Sequence, residues 1–280
     1  MYDVPSPYSI LLARARLLLT PAGEYLTPGA AELLTGRASG SLINAAKRGD
    51  LLAEQRRPGA HRRYPTKEIL AYMADRGIPA TALDAVHYAA ASGRGQRLDE
   101  QEFLVDEAYT RQRSPGVCWH LEARKRLSDP DDLALSTWHR GDRMRAVNCL
   151  VEEGDRLTAQ RQAHLSQGVD VRTVWATHIP LDHHRAYLAH AFRVRERAGF
   201  SVRVVDLTSD GRPVLEHAHP VPSLIAYPGR VLYLLRHTEQ GRPAGAIRLD
   251  DAHLATAVGD LLTHLSAHGQ SADGFARLRL

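Results

Sequence analysis

Between Leu26 and Met73 the chain lays out two short helical patterns separated by a tight turn, followed by Arg56-Arg57-Pro58-Gly59-Ala60-His61-Arg62-Arg63-Tyr64. That order leaves little conformational choice. Thr27 offers a side-chain oxygen for an N-cap, Pro28 suits the first helical position, and Ala30, Ala31, Leu33 and Leu34 form one apolar face. Gly36 marks the turn. A second helix starts near Ser39 to Ser41 with Leu42, Ala45 and Ala46 inward, and Gly49 stands where a left-handed C-terminal residue is wanted. Two extended arms around Pro58-Gly59 then predict a hairpin, and Thr66 to Ala74 a further helix whose inner face is Ile69, Leu70 and Met73.

Charge is concentrated on this stretch. From Arg37 to Lys67 eight cations face only Asp50 and Glu54, a net +6, whereas the whole chain carries +4 and is therefore slightly acidic elsewhere. Positive charge gathered on one small domain is the footprint of a phosphate-binding surface. The sequence pI of 9.2 fits the same reading.

A chain of 280 residues is long enough for two domains with separate cores. No apolar run approaches the roughly 20 residues of a membrane span, and Ile10 to Leu19 is interrupted by Arg14 and Arg16, so a cytoplasmic, nucleoid-associated protein with no membrane partner is expected. Cys118 and Cys149 have no metal spacing and read as small core residues. Residues 1–24 form a helical extension, with a short amphipathic helix at 8–19. Residues 25–76 are the basic domain, and 77–139 a helical linker or dimerisation region with one helix from Asp99 to Arg113 on Phe103, Leu104, Ala108 and Tyr109. Residues 140–280 alternate in the manner of an α/β domain. The expected strands are Met144–Leu150, Val169–Ala176, Ser201–Asp206, Ser223–Tyr227, Val231–Leu235 and Ala246–Leu249, and the expected helices Glu152–Ser166, Asp182–Ala198 and Ala252–His268.

In the basic domain, Leu26-Thr27-Pro28, Ala31-Glu32-Leu33-Leu34, the helix ending Lys47-Arg48-Gly49-Asp50-Leu51, the Pro58 to Tyr64 hairpin and Ile69-Leu70-Ala71-Tyr72 together resemble the MerR and excisionase type of winged helix-turn-helix, especially its short actinobacterial members. The resemblance implies a second helix in the major groove of double-stranded DNA and a wing on the phosphates. Ser39, Ser41, Asn44 and Arg48 are then the candidates for base edges, with Arg37 and Lys47 beside them. Arg56, Arg57, Arg62, Arg63 and Lys67 would neutralise phosphates, and His61 and Tyr64 would donate hydrogen bonds to the DNA backbone. Paired half-sites imply a homodimer. Asn44 and Ala45 depart from the arginine and tryptophan usual in that helix.

The stretch Pro222 to Leu235, with its Pro228-Gly229-Arg230 turn, ahead of Ala246–Leu249 and a closing helix, resembles a phospholipase D-like fold, in the degenerate form attached to TrmB-type and some LuxR-type regulators. Active members carry histidine, lysine and aspartate where this chain has Val221, Ser223 and Pro228, so the resemblance implies no phosphodiester chemistry and no enzyme. Such a domain would sense a small-molecule or protein effector, or dimerise. His178, His183, His184, His217 and His219 invite a metal reading, but they lack supporting cysteines or an HExxH arrangement. No metal or cofactor is expected. Trp119, Trp138 and Trp175 read as core. The overall expectation is an α+β chain, a winged helix-turn-helix followed by an α/β phospholipase D-like domain, acting as a transcription regulator. An excisionase-like or architectural DNA-binding factor, an antitoxin-like protein-binding module, and a nuclease or lipid hydrolase are the other readings.

Overall fold

Thr27 caps a helix as its position suggests. Its hydroxyl accepts Ala30 N at 3.3 Å, Pro28 occupies the first turn, and Gly36 closes the helix at φ +65°. The computed structural model describes residues 8–19, 25–55, 61–208, 215 and 219–279. They form two units, one of residues 1–92 with 208–220, the other of residues 93–207 with 221–280.

In the first unit α1 (Ser9–Leu19), β1 (Tyr25–Leu26), α2 (Pro28–Thr35), α3 (Ser39–Arg48), β2 (Tyr64–Pro65), α4 (Thr66–Asp75) and α5 (Ala82–Ala91) follow in order. The three-residue turn from Gly36 to Ala38 joins α2 to α3, and Gly49 ends α3 at φ +81°. An antiparallel bridge, Glu54 with Arg63, continues into the β1–β2 pair, where Leu26 faces Tyr64. Leu11, Ala31, Leu34, Leu42, Ala45, Tyr64, Ile69 and Met73 are buried, each fully desolvated large side chain contributing about 1.5–3 kcal/mol. Arg14, placed among the apolar residues of α1, is also buried; its guanidinium donates to the carbonyls of Leu33 and Pro79 at 3.0 and 2.9 Å. A cation at the C-terminal carbonyls of α2 is favourable, which explains a charge inside that helix pattern.

The second unit is built on an eight-stranded mixed sheet, order β10-β6-β5-β4-β7-β8-β9-β3. Its elements are β3 (Gln96–Leu98), α6 (Glu100–Gln112), β4 (Gly116–Glu122), α7 (Leu133–His139), α8 (Arg143–Glu152), α9 (Gly154–Ser166), β5 (Val169–Thr177), α10 (His183–Arg197), β6 (Ser201–Asp206), β7 (Leu224–Tyr227), β8 (Val231–His237), β9 (Pro243–Leu249), α11 (Ala252–His268), β10 (Gln270–Ser271) and α12 (Ala272–Arg279). Strands β4, β5 and β6 are parallel and the other pairs antiparallel. Gly245, at φ +85°, allows β9 to pass against the Leu98 and Asp99 backbone, where a Cβ would collide. Trp119 packs near Gly259 of α11 on one sheet face; Trp175 lies in the cluster with Trp138, Tyr187 and Phe192 on the other. All three tryptophans are buried.

Three expectations are corrected. Residues 144–150 are helix α8, not a strand: Asp142 Oδ1 accepts Arg145 N at 3.1 Å, and Ala146 and Leu150 are buried while Met144 and Val151 are exposed. That is a helical period, not an alternating one. Residues 77–139 do not form a linker, because α5 belongs to the first unit and β3, α6 and β4 to the second, β3 and β4 as strands of its sheet. Helix α6 starts at a capping box of Asp99 and Glu102, but Leu104 and Tyr109 face outward. Its buried side is polar: Glu107 accepts the Tyr227 hydroxyl at 2.5 Å, and Asp106 accepts the Tyr233 hydroxyl at 2.7 Å and the Arg248 guanidinium at 2.5 Å. Buried hydroxyls and carboxylates that satisfy one another remove the need for an apolar face there.

Candidate functional site

Helix α3 is divided by burial. Leu42 and Ala45 are buried, whereas Arg37, Ser41, Asn44, Lys47 and Arg48 are exposed, and Ser39 is half-buried at the helix start. Spacings of three and four place Ser41, Asn44, Lys47 and Arg48 on one outward face. Arg48 pairs with Asp50 at 2.9 Å, and Asp50 also lies 3.9 Å from Arg76. An exposed pair of this kind is worth little and yields readily to a stronger anion.

Beside that face the hairpin arm carries His61 and Arg63, both exposed, and half-buried Arg62. Arg62 Nη1 donates to the Ile43 carbonyl of α3 at 3.4 Å, and a groove of about 340 Å³ runs between Ser39, Ile43 and Lys47 and the His61–Arg62 arm. Lys67 is exposed at the start of α4. Arg56 and Arg57 lie outside the described residues. Tyr64 does not serve as expected: it is 1% exposed and pairs with Leu26, and burial raises its phenol pKa. Its role is to hold the hairpin to the core, not to meet a phosphate. Arg62 likewise spends a donor inside the fold.

A second concentration of charge lies wholly in the second unit. A cavity of about 510 Å³ opens on the sheet face that carries His120, Thr173 and Ile225, which are in register across β4, β5 and β7. Arg111 of α6, His164 of α9 and Arg195 of α10 also line it. Burial, then the neighbouring Arg195 and Arg111, push His120 down to about 3; burial and the same two arginines also lower His164. Both imidazoles are therefore neutral near neutral pH. Arg111 Nη1 contacts His164 Nε2 at 3.3 Å, and its other edge lies 3.4 Å from Glu107. Burial pushes the Glu122 carboxyl up, but Arg124, at 2.6 Å, and the Ser223 hydroxyl, which donates to it at 3.1 Å, bring it below the ordinary carboxylate value. These basic groups were missed in the sequence because they come from four separate elements. The signal available was the alternation of β4, where His120 and Glu122 share the face opposite Trp119 and Leu121.

The rings of His139, His183 and His184 cluster with centroids 5.2–5.8 Å apart. Among the described residues, however, no three histidine, cysteine or carboxylate side chains are grouped to hold a metal ion, and His217 lies outside them. Among the described residues no helix is long and apolar enough to cross a membrane. No curated protein and no solved structure matches the chain. Residues 107–277 match a family described as Domain of unknown function (DUF6879). The matched stretch is more than half of the chain and holds Arg111, His120, His164 and Arg195 together, so the chain belongs to the DUF6879 family.

Proposed function

We propose that the chain is a sequence-specific, double-stranded DNA-binding transcription regulator. In this reading the first unit binds DNA as a winged helix-turn-helix, and the second senses or dimerises without catalysis. The observation that carries the reading is the outward face of α3, where Ser41, Asn44, Lys47 and Arg48 stand opposite the buried Leu42 and Ala45. A helix seated in the major groove needs hydrogen-bonding and cationic side chains along one exposed stripe, and a neighbouring basic arm to fix its register on the phosphates. His61, Arg63 and Lys67 supply described parts of that arm. Asn44 is the residue suited to a bidentate bond with adenine.

For the second unit, the phospholipase D-like reading is supported by β7, the turn with Gly229 at φ +75°, β8, β9 and the closing α11. Val221 and Ser223 are buried, and the Ser223 hydroxyl donates to Glu122 while accepting Ala123 N at 3.1 Å. A serine fixed this way supplies neither nucleophilic imidazole nor ammonium charge, in keeping with a domain that does not hydrolyse phosphodiesters. A homodimer on paired half-sites completes the proposal.

Selection of bound sites from randomised duplexes by the full chain tests the reading. Wild type enriches a defined sequence, Asn44→Ala relaxes preference at one or two base pairs, and Lys47→Ala weakens all sites alike while flattening the salt slope by about one. Failure to bind any duplex at low ionic strength would remove the DNA-binding assignment.

A further inference from the structure

The basic cluster in the second unit is not accounted for by packing. Arg111, His120, His164 and Arg195 reach one cavity from α6, β4, α9 and α10. The Arg195 guanidinium makes no hydrogen bond or ion pair with another described residue; it lies 4.5 Å from the Phe200 ring centroid. Guanidinium keeps its charge in proteins and directs its N–H donors as a rigid fork. The one charged neighbour that shifts Arg195 besides burial is itself basic, Arg156.

Of the four carboxylates on the same wall, Asp129 accepts Asp131 N at 3.0 Å and the other three are engaged by side chains. Glu122 is held by Arg124 at 2.6 Å, Glu153 by Arg156 at 2.7 Å, and Asp132 caps α7 and accepts the Tyr187 hydroxyl at 2.8 Å. A guanidinium left without an ion-pair partner beside Val171, Leu188 and Val194 is most directly offset by an added anion.

We propose that this cavity binds a small organic phosphate, with Arg195 and Arg111 on the phosphoryl oxygens and His120, His164 and Thr173 adding hydrogen bonds. A carboxylate is saturated by a single arginine fork, whereas donors converging from four elements match the three terminal oxygens of a phosphoryl group. The cavity is larger than a bare phosphate requires and is of the size that holds small metabolites. Asp129, Gln160 and Tyr187 on its wall offer hydrogen bonds to the hydroxyls of a sugar-sized remainder. The inference does not depend on the DNA reading of the first unit.

The test is titration calorimetry and thermal unfolding of the full chain in phosphate-free buffer, with inorganic phosphate, glucose 6-phosphate and unphosphorylated glucose as probes. Saturable binding is expected for both phosphates, tighter for glucose 6-phosphate, and none for glucose. Arg195→Gln weakens binding by about tenfold or more, while Arg230→Gln on the exposed β7–β8 turn leaves it unchanged. Without ligand, Arg195→Gln changes the unfolding temperature little, because the cation it removes has no ion-pair partner and only the Phe200 ring contact is lost. If that variant fails to fold, Thr173→Val and the wild-type titration still decide. No response of wild type to either phosphate at millimolar concentration, or an equal response of wild type and the folded cavity variant, overturns the proposal.

Discussion

The face of α3 and the cavity beside β4 both present cationic donors, yet they place them in opposite surroundings. On α3 the cations stand in solvent opposite a small apolar core, so each is well hydrated, screened by salt and individually weak. In the cavity the guanidinium of Arg195 and the imidazoles of His120 and His164 are partly shielded from water on a wall of mixed polar and apolar side chains, where a single matching anion has a larger effect than on an open surface. The first arrangement suits a long polyanion met by many replaceable contacts. The second suits one compact dianion met by a few fixed ones.

The sharpest way to break this contrast is ionic strength. If about five phosphates are neutralised, DNA affinity falls roughly 300- to 1,000-fold between about 50 and 200 mM salt, whereas glucose 6-phosphate binding falls by no more than about tenfold over that range. Filter binding and calorimetry on the same preparation measure both, and parallel losses would erase the distinction. Next in size is a pair of α3 variants. Leu42→Ala is expected to lower stability by about 2–5 kcal/mol, and Asn44→Ala to change it by less than about 0.5 kcal/mol while costing about 1–3 kcal/mol of base discrimination. Chemical denaturation alongside site selection checks that the inner and outer faces are assigned correctly.

Acid also titrates His87, His139, His184, His190 and His237, all lowered by burial, so the His120 variant is what isolates the cavity. His120 is depressed to about 3 in the fold, so its neutral form contributes stability that is fully present above the ordinary histidine value of 6.5 and is lost as pH falls towards 3. Arg111 of α6, His164 of α9 and Arg195 of α10 oppose its protonation, and Glu122 of β4 favours it. Unfolding temperatures measured from pH 7 to 4 should therefore fall less steeply for His120→Asn than for wild type, and sulfate, dianionic throughout this range, should bind more tightly as pH falls. The smallest effects come from the caps. Thr27→Ala in the first unit and Asp99→Ala in the second should each cost about 1 kcal/mol. Hydrogen exchange should show the loss in α2 for one variant and in α6 for the other.

Much of the framework could be read directly from the chain, because its signals are local. Thr27, Pro28, Gly36 and Gly49 set the bounds of α2 and α3, and the spans Ser201–Asp206 and Ala252–His268 were anticipated residue for residue. Local signals mislead where they are ambiguous. Met144 to Leu150 is apolar enough for a strand, and only the Asp142 cap and the burial of Ala146 and Leu150 decide for a helix. Helix α6 was placed correctly, but its inward face was not, because Glu107 and Thr110 are tolerated inside only when Tyr227 and Tyr233 arrive from distant strands.

Helix starts, turns, apolar periods and the basic run from Arg37 to Lys67 follow from neighbouring residues, so the order of amino acids alone determined them. The meeting of Arg111, His120, His164 and Arg195, the burial of Tyr64 and the inclusion of β4 at the centre of the sheet were settled by the tertiary structure. Each depends on contacts between residues far apart in the chain, which no spacing or propensity along it encodes.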